Sequence, residues 1–125
     1  MEHPVRKEKD RELPVPNEWR GVIVKIVSSL ISGVEDFDFY KCHVVSIPEF
    51  ERARISDAIA EYGDHLVPLT SKAWETSIYQ YDEDFWVVLV DLCTRRESSS
   101  DLVLFIKVEE FASGYSFTVE DVHVP

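Results

Sequence analysis

The periodicity of the chain changes once, near Thr76, and that switch limits the fold more than any other feature. From there to the C-terminus apolar and polar residues alternate with a period of two, in four runs: about 76–81, 85–94, 101–110 and 114–124. Each run is bounded by polar or glycine-containing turns, so they read as an antiparallel meander. The second run, Phe85 to Cys93, is apolar at both sets of alternate positions: Phe85, Val87 and Leu89 on one face, Trp86, Val88, Val90 and Leu92 on the other. Such a strand is expected in the centre of a sheet that is covered on both faces or curves around a cavity. In the last run Tyr115, Phe117 and Val119 share a face, whereas Val122 and Val124 have changed sides. A bulge near Glu120 and Asp121 accounts for the change.

The N-terminal half carries helical spacing instead. Asn17 offers an N-cap, and Trp19, Val22, Ile23, Ile26, Val27, Leu30 and Ile31 recur on one face until Gly33 stops the run. Pro48 opens a second helix through Phe50, Ala53, Ile55, Ala58, Ile59 and Tyr62, closed by Gly63. Residues 34–47 mix Phe37, Phe39 and Tyr40 with an extended stretch from Lys41 to Ile47, and Ser71 to Trp74 forms a short helical turn. Residues 1–16, dense in charge and holding Pro4, Pro14 and Pro16, read as a flexible charged arm, leaving 17–125 as a single domain. The expected class is therefore α+β, with N-terminal helices packed on a C-terminal four-stranded antiparallel meander. A strongly curved version of that arrangement would form the cone of the nuclear transport factor 2-like fold.

Composition excludes several functions. Thirteen Lys and Arg face 24 Asp and Glu, a net charge of −11, which opposes binding to a phosphate backbone. The excess is uneven, with a net −2 over residues 1–59 and −9 over 60–125. An acidic half of this kind can steer a basic partner. No apolar run is long enough for a membrane span, and the N-terminus lacks the apolar core of a signal peptide. Cys42 and Cys93 have neither disulfide-framework nor zinc spacing, so no metal or cofactor is expected and a reducing cytoplasm fits.

Nucleotide, zinc-protease and serine-hydrolase motifs are all missing from the sequence. The candidates for acid–base chemistry are His43 beside Cys42, Asp64 beside His65, His123 with Asp121, and Asp91, which interrupts an apolar strand and needs a partner such as Arg20, Arg95 or Arg96. Satisfied structural roles are the commoner use of each, and no catalytic residue is expected. The meander itself makes a different suggestion. Strands two and three run in opposite directions, so the turn at Asp82, Glu83 and Asp84 lies at the same end as Glu109 and Glu110. Tyr79, Tyr81 and Trp86 sit close by in sequence, and acids beside aromatic residues with polar tips suit a partner-binding surface.

Residues 55–124 carry a further pattern. The positions Trp86, Asp91, Leu92, Thr94, Ser100, Asp101, Leu102, Leu104 and His123 follow a W-x-V-x-V-D-L, S-D-L-x-L and D-x-H-V succession, with Cys93 where tryptophan would be expected. The chain thereby resembles an uncharacterised family of small bacterial α+β domains, which implies no established enzyme activity. In size, charge and architecture it also resembles the immunity proteins of polymorphic toxin and contact-dependent inhibition systems. That resemblance implies a toxin-neutralising protein, not an enzyme, that blocks a cognate and basic toxin domain such as a nuclease. The competing expectation is a ligand-binding or enzymatic cone, with a pocket lined by Trp86, Val88, Phe105 and Tyr115 and with Asp91 or His123 as its acid–base group.

Overall fold

In the computed structural model residues 5–125 are described. The elements in chain order are β1 (Leu13–Pro14), α1 (Asn17–Ser32), β2 (Cys42–Val44), α2 (Glu49–Tyr62), β3 (Leu66–Val67), α3 (Ala73–Thr76), β4 (Ile78–Asp82), β5 (Phe85–Asp91), β6 (Cys93–Thr94), β7 (Val103–Phe111) and β8 (Gly114–His123). Six strands form one mixed sheet in the order β1-β4-β5-β7-β8-β2, while β3 and β6 pair separately.

This corrects the expected architecture, a four-stranded antiparallel meander under N-terminal helices, and with it the transport-factor cone. The four long strands β4, β5, β7 and β8 do neighbour one another, but a short strand extends the sheet at each side. On one side β1 pairs with β4. On the other β2 runs parallel to β8, so the sheet is mixed. A parallel neighbour needs a long crossover, and the chain between β2 and β8 includes α2 and the strands β4, β5 and β7. The short helical turn expected at Ser71 to Trp74 appears as α3, directly before β4.

Both long helices stop where glycine adopts a left-handed conformation, Gly33 at φ 78° and Gly63 at φ 86°. Their starts differ from a side-chain cap: Pro16 and Pro48 occupy the cap positions, no side chain caps either helix, and Asn17 is the first helical residue. Each proline carbonyl accepts from its helix, from Trp19 N–H and from Arg52 N–H at 3.0 Å, and the fixed proline φ is compatible with the extended cap conformation.

The core lies between α1 and one face of the sheet. Trp19, Ile23, Ile26 and Val27 of α1 are wholly buried against Val88, Val90, Leu104, Ile106, Val108 and Phe117. Helix α2 contributes far less, with Ile55 as its one fully buried residue. The bulge falls at Glu120: Ile106 pairs with Val119 and Phe105 with Asp121, so one residue of β8 has no counterpart. The opposite sheet face carries Phe85, Val87, Leu89, Phe105 and Lys107, all half-buried, where cover on both faces or a central cavity was expected.

The stretch read as a flexible charged arm touches the sheet at several points, although residues 6–12 are exposed. Val5, Leu13 and Val15 are buried, the Trp86 indole N–H donates to the Arg6 carbonyl at 2.9 Å, and Lys9 forms a bridge with Tyr81. Residues 1–4 of the arm lie outside the described residues.

Gly114, at the start of β8, holds β2 in place. Tyr115 N–H donates to the Lys41 carbonyl at 2.9 Å, and a Cβ built on Gly114 would lie 1.9 Å from that same oxygen. Backbone cannot yield as a side-chain tip can. Gly114→Ala is therefore expected to peel β2 from the sheet and cost about 2 kcal/mol or more, by analogy with other overpacked sites. A urea midpoint equal to that of the unmodified protein would contradict this.

Candidate partner-binding site

The pairing of Trp86 with Val108 and of Asp82 with Phe85 sets the end of the sheet at which the acids gather. The β4–β5 turn, with Glu83 at φ 56°, and the β7–β8 turn at Ala112 and Ser113 both close at this end. Asp82, Glu83, Asp84, Glu109 and Glu110 are all exposed there. Glu110 binds the Lys7 ammonium at 2.9 Å, and this contact raises the lysine pKa. Asp82, Glu83, Asp84 and Glu109 have no ion-pair partner among the described residues.

The aromatic part of the expected surface is different. Alternation puts Tyr79, Tyr81 and Trp86 together on the helix-covered face, because they pair in register as Tyr79 with Val88 and Tyr81 with Trp86. Tyr79 and Trp86 are 4% and 1% exposed and pack against Trp19, so neither can touch a partner directly. Tyr81 remains half-exposed. Lys7 lies 5.9 Å from the centre of the Trp86 ring, so the arm covers part of what the sequence left open. Sequence reasoning missed Tyr40, 87% exposed, and Phe111, 44% exposed, which stand at the same end. They flank a depression of about 370 Å³ between residues 40–42 and 110–115, with Glu18 also on its wall. Their signal was present, as aromatic residues beside turn residues, but only the parallel pairing of β2 with β8 brings Tyr40 to the β7–β8 turn.

The acid–base candidates have other occupations. Asp91 accepts from the Thr76 hydroxyl at the end of β5, its backbone N–H donates to Ser77 Oγ at 2.9 Å, and none of the three arginines reaches it. His123 Nδ1 lies 2.8 Å from Asp121 Oδ2, as the sequence pairing suggests, but the histidine is exposed and stacked on Phe105. Asp121 is further bound by Arg54, which also reaches the Glu120 carbonyl at 3.1 Å. Trp86 and Val88 are sealed on one face of the sheet while Phe105 sits on the other, so these residues and Tyr115 do not enclose a common pocket. His43 is exposed on β2 and Cys42 precedes it on the opposite side of the strand. Among the described residues no group of His, Cys, Asp and Glu could hold a metal ion, and no helix is long and apolar enough to cross a membrane.

Residues 35–125 match a family described as a domain of unknown function, DUF7668. The chain belongs to this family. A search of curated proteins and a search of solved structures each return no match. The residues that suggested an uncharacterised family by sequence lie within the DUF7668 span, and several have structural roles. Ser100 Oγ donates to the Leu92 carbonyl at 2.7 Å and accepts from Leu102 N–H at 3.2 Å, tying the ends of the β6–β7 connection. Thr94 bonds to Asp64, whose side chain is 4% exposed and also accepts from the backbone N–H groups of His65 at 2.8 Å and Arg96 at 3.1 Å.

The Thr94 hydroxyl, those two N–H groups and the Arg96 guanidinium hold the Asp64 carboxyl far below the usual carboxylate range, against the opposing effect of desolvation. Burial pushes Glu35 upward, but Arg52 at 2.6 Å, Ser46 and the Ile47 N–H outweigh it, and its pKa also falls. Asp121 is lowered in the same manner by Arg54, Val122 N–H and His123 against burial. A carboxyl depressed in the folded state stabilises above its unfolded pKa, and that stability is lost as pH falls through the folded value. The contribution is therefore expected to be complete above about pH 5 and to decline progressively below about pH 4. Urea midpoints between pH 7 and 2.5 should show this, and Asp64→Asn should flatten the acid limb while lowering the neutral plateau. Parallel pH profiles for the two proteins would contradict it.

Proposed function

We propose that this DUF7668 protein is a binding module without chemistry of its own, which captures a basic protein partner at the hairpin end of its sheet in the manner of a toxin-neutralising immunity protein. One observation carries the reading: four carboxylates without ion-pair partners among the described residues, Asp82, Glu83, Asp84 and Glu109, share one end of the sheet with exposed Tyr40 and Phe111. Carboxylates on two rigid hairpins present a fixed negative field at little conformational cost, while the aromatic rings offer apolar area that an approaching chain can dehydrate. The intramolecular Lys7 contact supports this reading, since it places an ammonium between a carboxylate and an indole face at this end. A fast, electrostatically steered encounter suits protection of a cytoplasmic target against an incoming toxin.

The test is expression of the product of the neighbouring gene, alone and together with this protein, in a bacterial host. Growth arrest relieved by co-expression, with a complex that survives purification, is the expected result. A harmless neighbour that forms no complex would remove the immunity reading.

A further inference from the structure

A second concavity, of about 900 Å³, lies between the C-terminal turn of α1 and the inner side of α2 and is closed by the chain at 63–66 and by Arg95. It is distinct from the acidic end, because α1 runs from Glu18 at one to Leu30 at the other, roughly 18 Å at 1.5 Å per residue. Its apolar residues are Leu30, Ile31, Ile55, Ile59 and Leu66, and Ile31 is 43% exposed. The weak packing of α2, with Ile55 alone fully buried, leaves this apolar floor open.

The charges around the floor do not cancel to the sign of the whole molecule. Arg52 is neutralised by Glu35 at 2.6 Å and donates to the Ser29 carbonyl at 3.0 Å. Asp64 is neutralised by Arg96 and saturated with hydrogen bonds. The Arg95 guanidinium and the His65 imidazole remain, and neither side chain has a hydrogen-bond or ion-pair partner among the described residues. In a chain of net charge −11 this is a locally cationic rim above an apolar floor.

We propose that the groove binds an amphipathic monocarboxylate, with its apolar chain along Leu30, Ile31 and Ile59 and its head on Arg95. The guanidinium fork matches a carboxylate in a bidentate arrangement, and one unpaired arginine suits one negative charge better than a phosphoryl group, which needs more donors. The volume lies within the range of small-ligand sites.

The probe is decanoate, titrated into the full-length protein below its micellar concentration, with decanol as the uncharged control. Calorimetry and amide chemical shifts give affinity and location. Decanoate is expected to shift the amides of Ile31, Ile59 and Leu66 and to bind at least tenfold more tightly than decanol. Arg95→Gln, at an exposed position, should cost decanoate about tenfold in affinity while leaving decanol binding and the unliganded melting temperature unchanged. Ile59→Glu should abolish both. Equal affinities for decanoate and decanol, insensitivity to Arg95→Gln, or shifts confined to residues outside the groove would overturn the proposal. So would a concentration-dependent dimer that Ile59→Glu dissolves, because the groove would then be covered by a second copy of the chain.

Discussion

Trp19→Ala is expected to destabilise the protein by about 3–5 kcal/mol, a large share of the 5–15 kcal/mol that holds a typical domain together. The side chain is wholly buried and meets four rings edge-on, Tyr79, Trp86, Tyr115 and Phe117, with centroids 5.3–5.8 Å away. Those rings come from three strands, so the indole is the point where α1 is fastened to the sheet. Its removal leaves a cavity that rigid strands cannot collapse to fill. One detail separates size from polarity. The Trp19 indole N–H is buried and finds no hydrogen-bond acceptor among the described residues, a burden on the folded state. Trp19→Phe removes that burden along with part of the volume, and should therefore cost much less than the alanine variant. Urea unfolding of both variants checks the pair. Similar losses for alanine and phenylalanine would mean that packing around the six-membered ring contributes little.

The second large effect concerns rate. Replacing Asp82, Glu83 and Asp84 together by lysine changes the local charge by about six units at positions that are exposed and unpaired. Association with a basic partner should slow by roughly 10- to 100-fold at low salt, and the salt dependence of the remaining rate should flatten. The melting temperature should stay within about 2 °C, since no buried contact is touched. Stopped-flow association against the partner recovered by co-expression measures this. An unchanged on-rate would place the interface on another surface. A slower on-rate with an unchanged salt slope would assign the effect to lost contacts rather than to the field.

What the sequence revealed depended on how long each signal was. Helices α1 and α2 are readable because Gly33, Pro48 and Gly63 mark three of their ends and α1 repeats its apolar face over four turns. The bulge at Glu120 is readable because Val122 breaks the alternation that Phe117 and Val119 set. Strands β1 and β2, two and three residues long, show no periodicity at all. They exist because sheet edges at Tyr79 and Phe117 offer partners, which is a tertiary fact. The candidate site divides along the same line. The convergence of the acids follows from antiparallel strand direction, which the meander implied. The burial of Tyr79 and Trp86 depends on which face α1 covers, and a strand that is apolar on both faces does not say. The docking of the charged arm was hidden for a similar reason: Val5, Leu13 and Val15 are spaced too irregularly to form a pattern, yet each finds a recess.

The same bulge has a bearing on how copies of the chain coexist at high concentration. Beyond Phe117, no strand among the described residues pairs with β8 on its outer side, since β2 pairs only with residues 115–117 and Val45 N–H takes the Phe117 carbonyl. A sheet border without a paired strand invites another molecule to add one, but the chain at 45–48 and helix α2 lie against this one. The extra residue at Glu120 also breaks the straight row of donors and acceptors, and the Arg54 guanidinium, itself paired with Glu51 and Asp121, occupies the Glu120 carbonyl. A second chain approaching this border meets an interrupted template and a carbonyl already taken, which disfavours the addition of a strand.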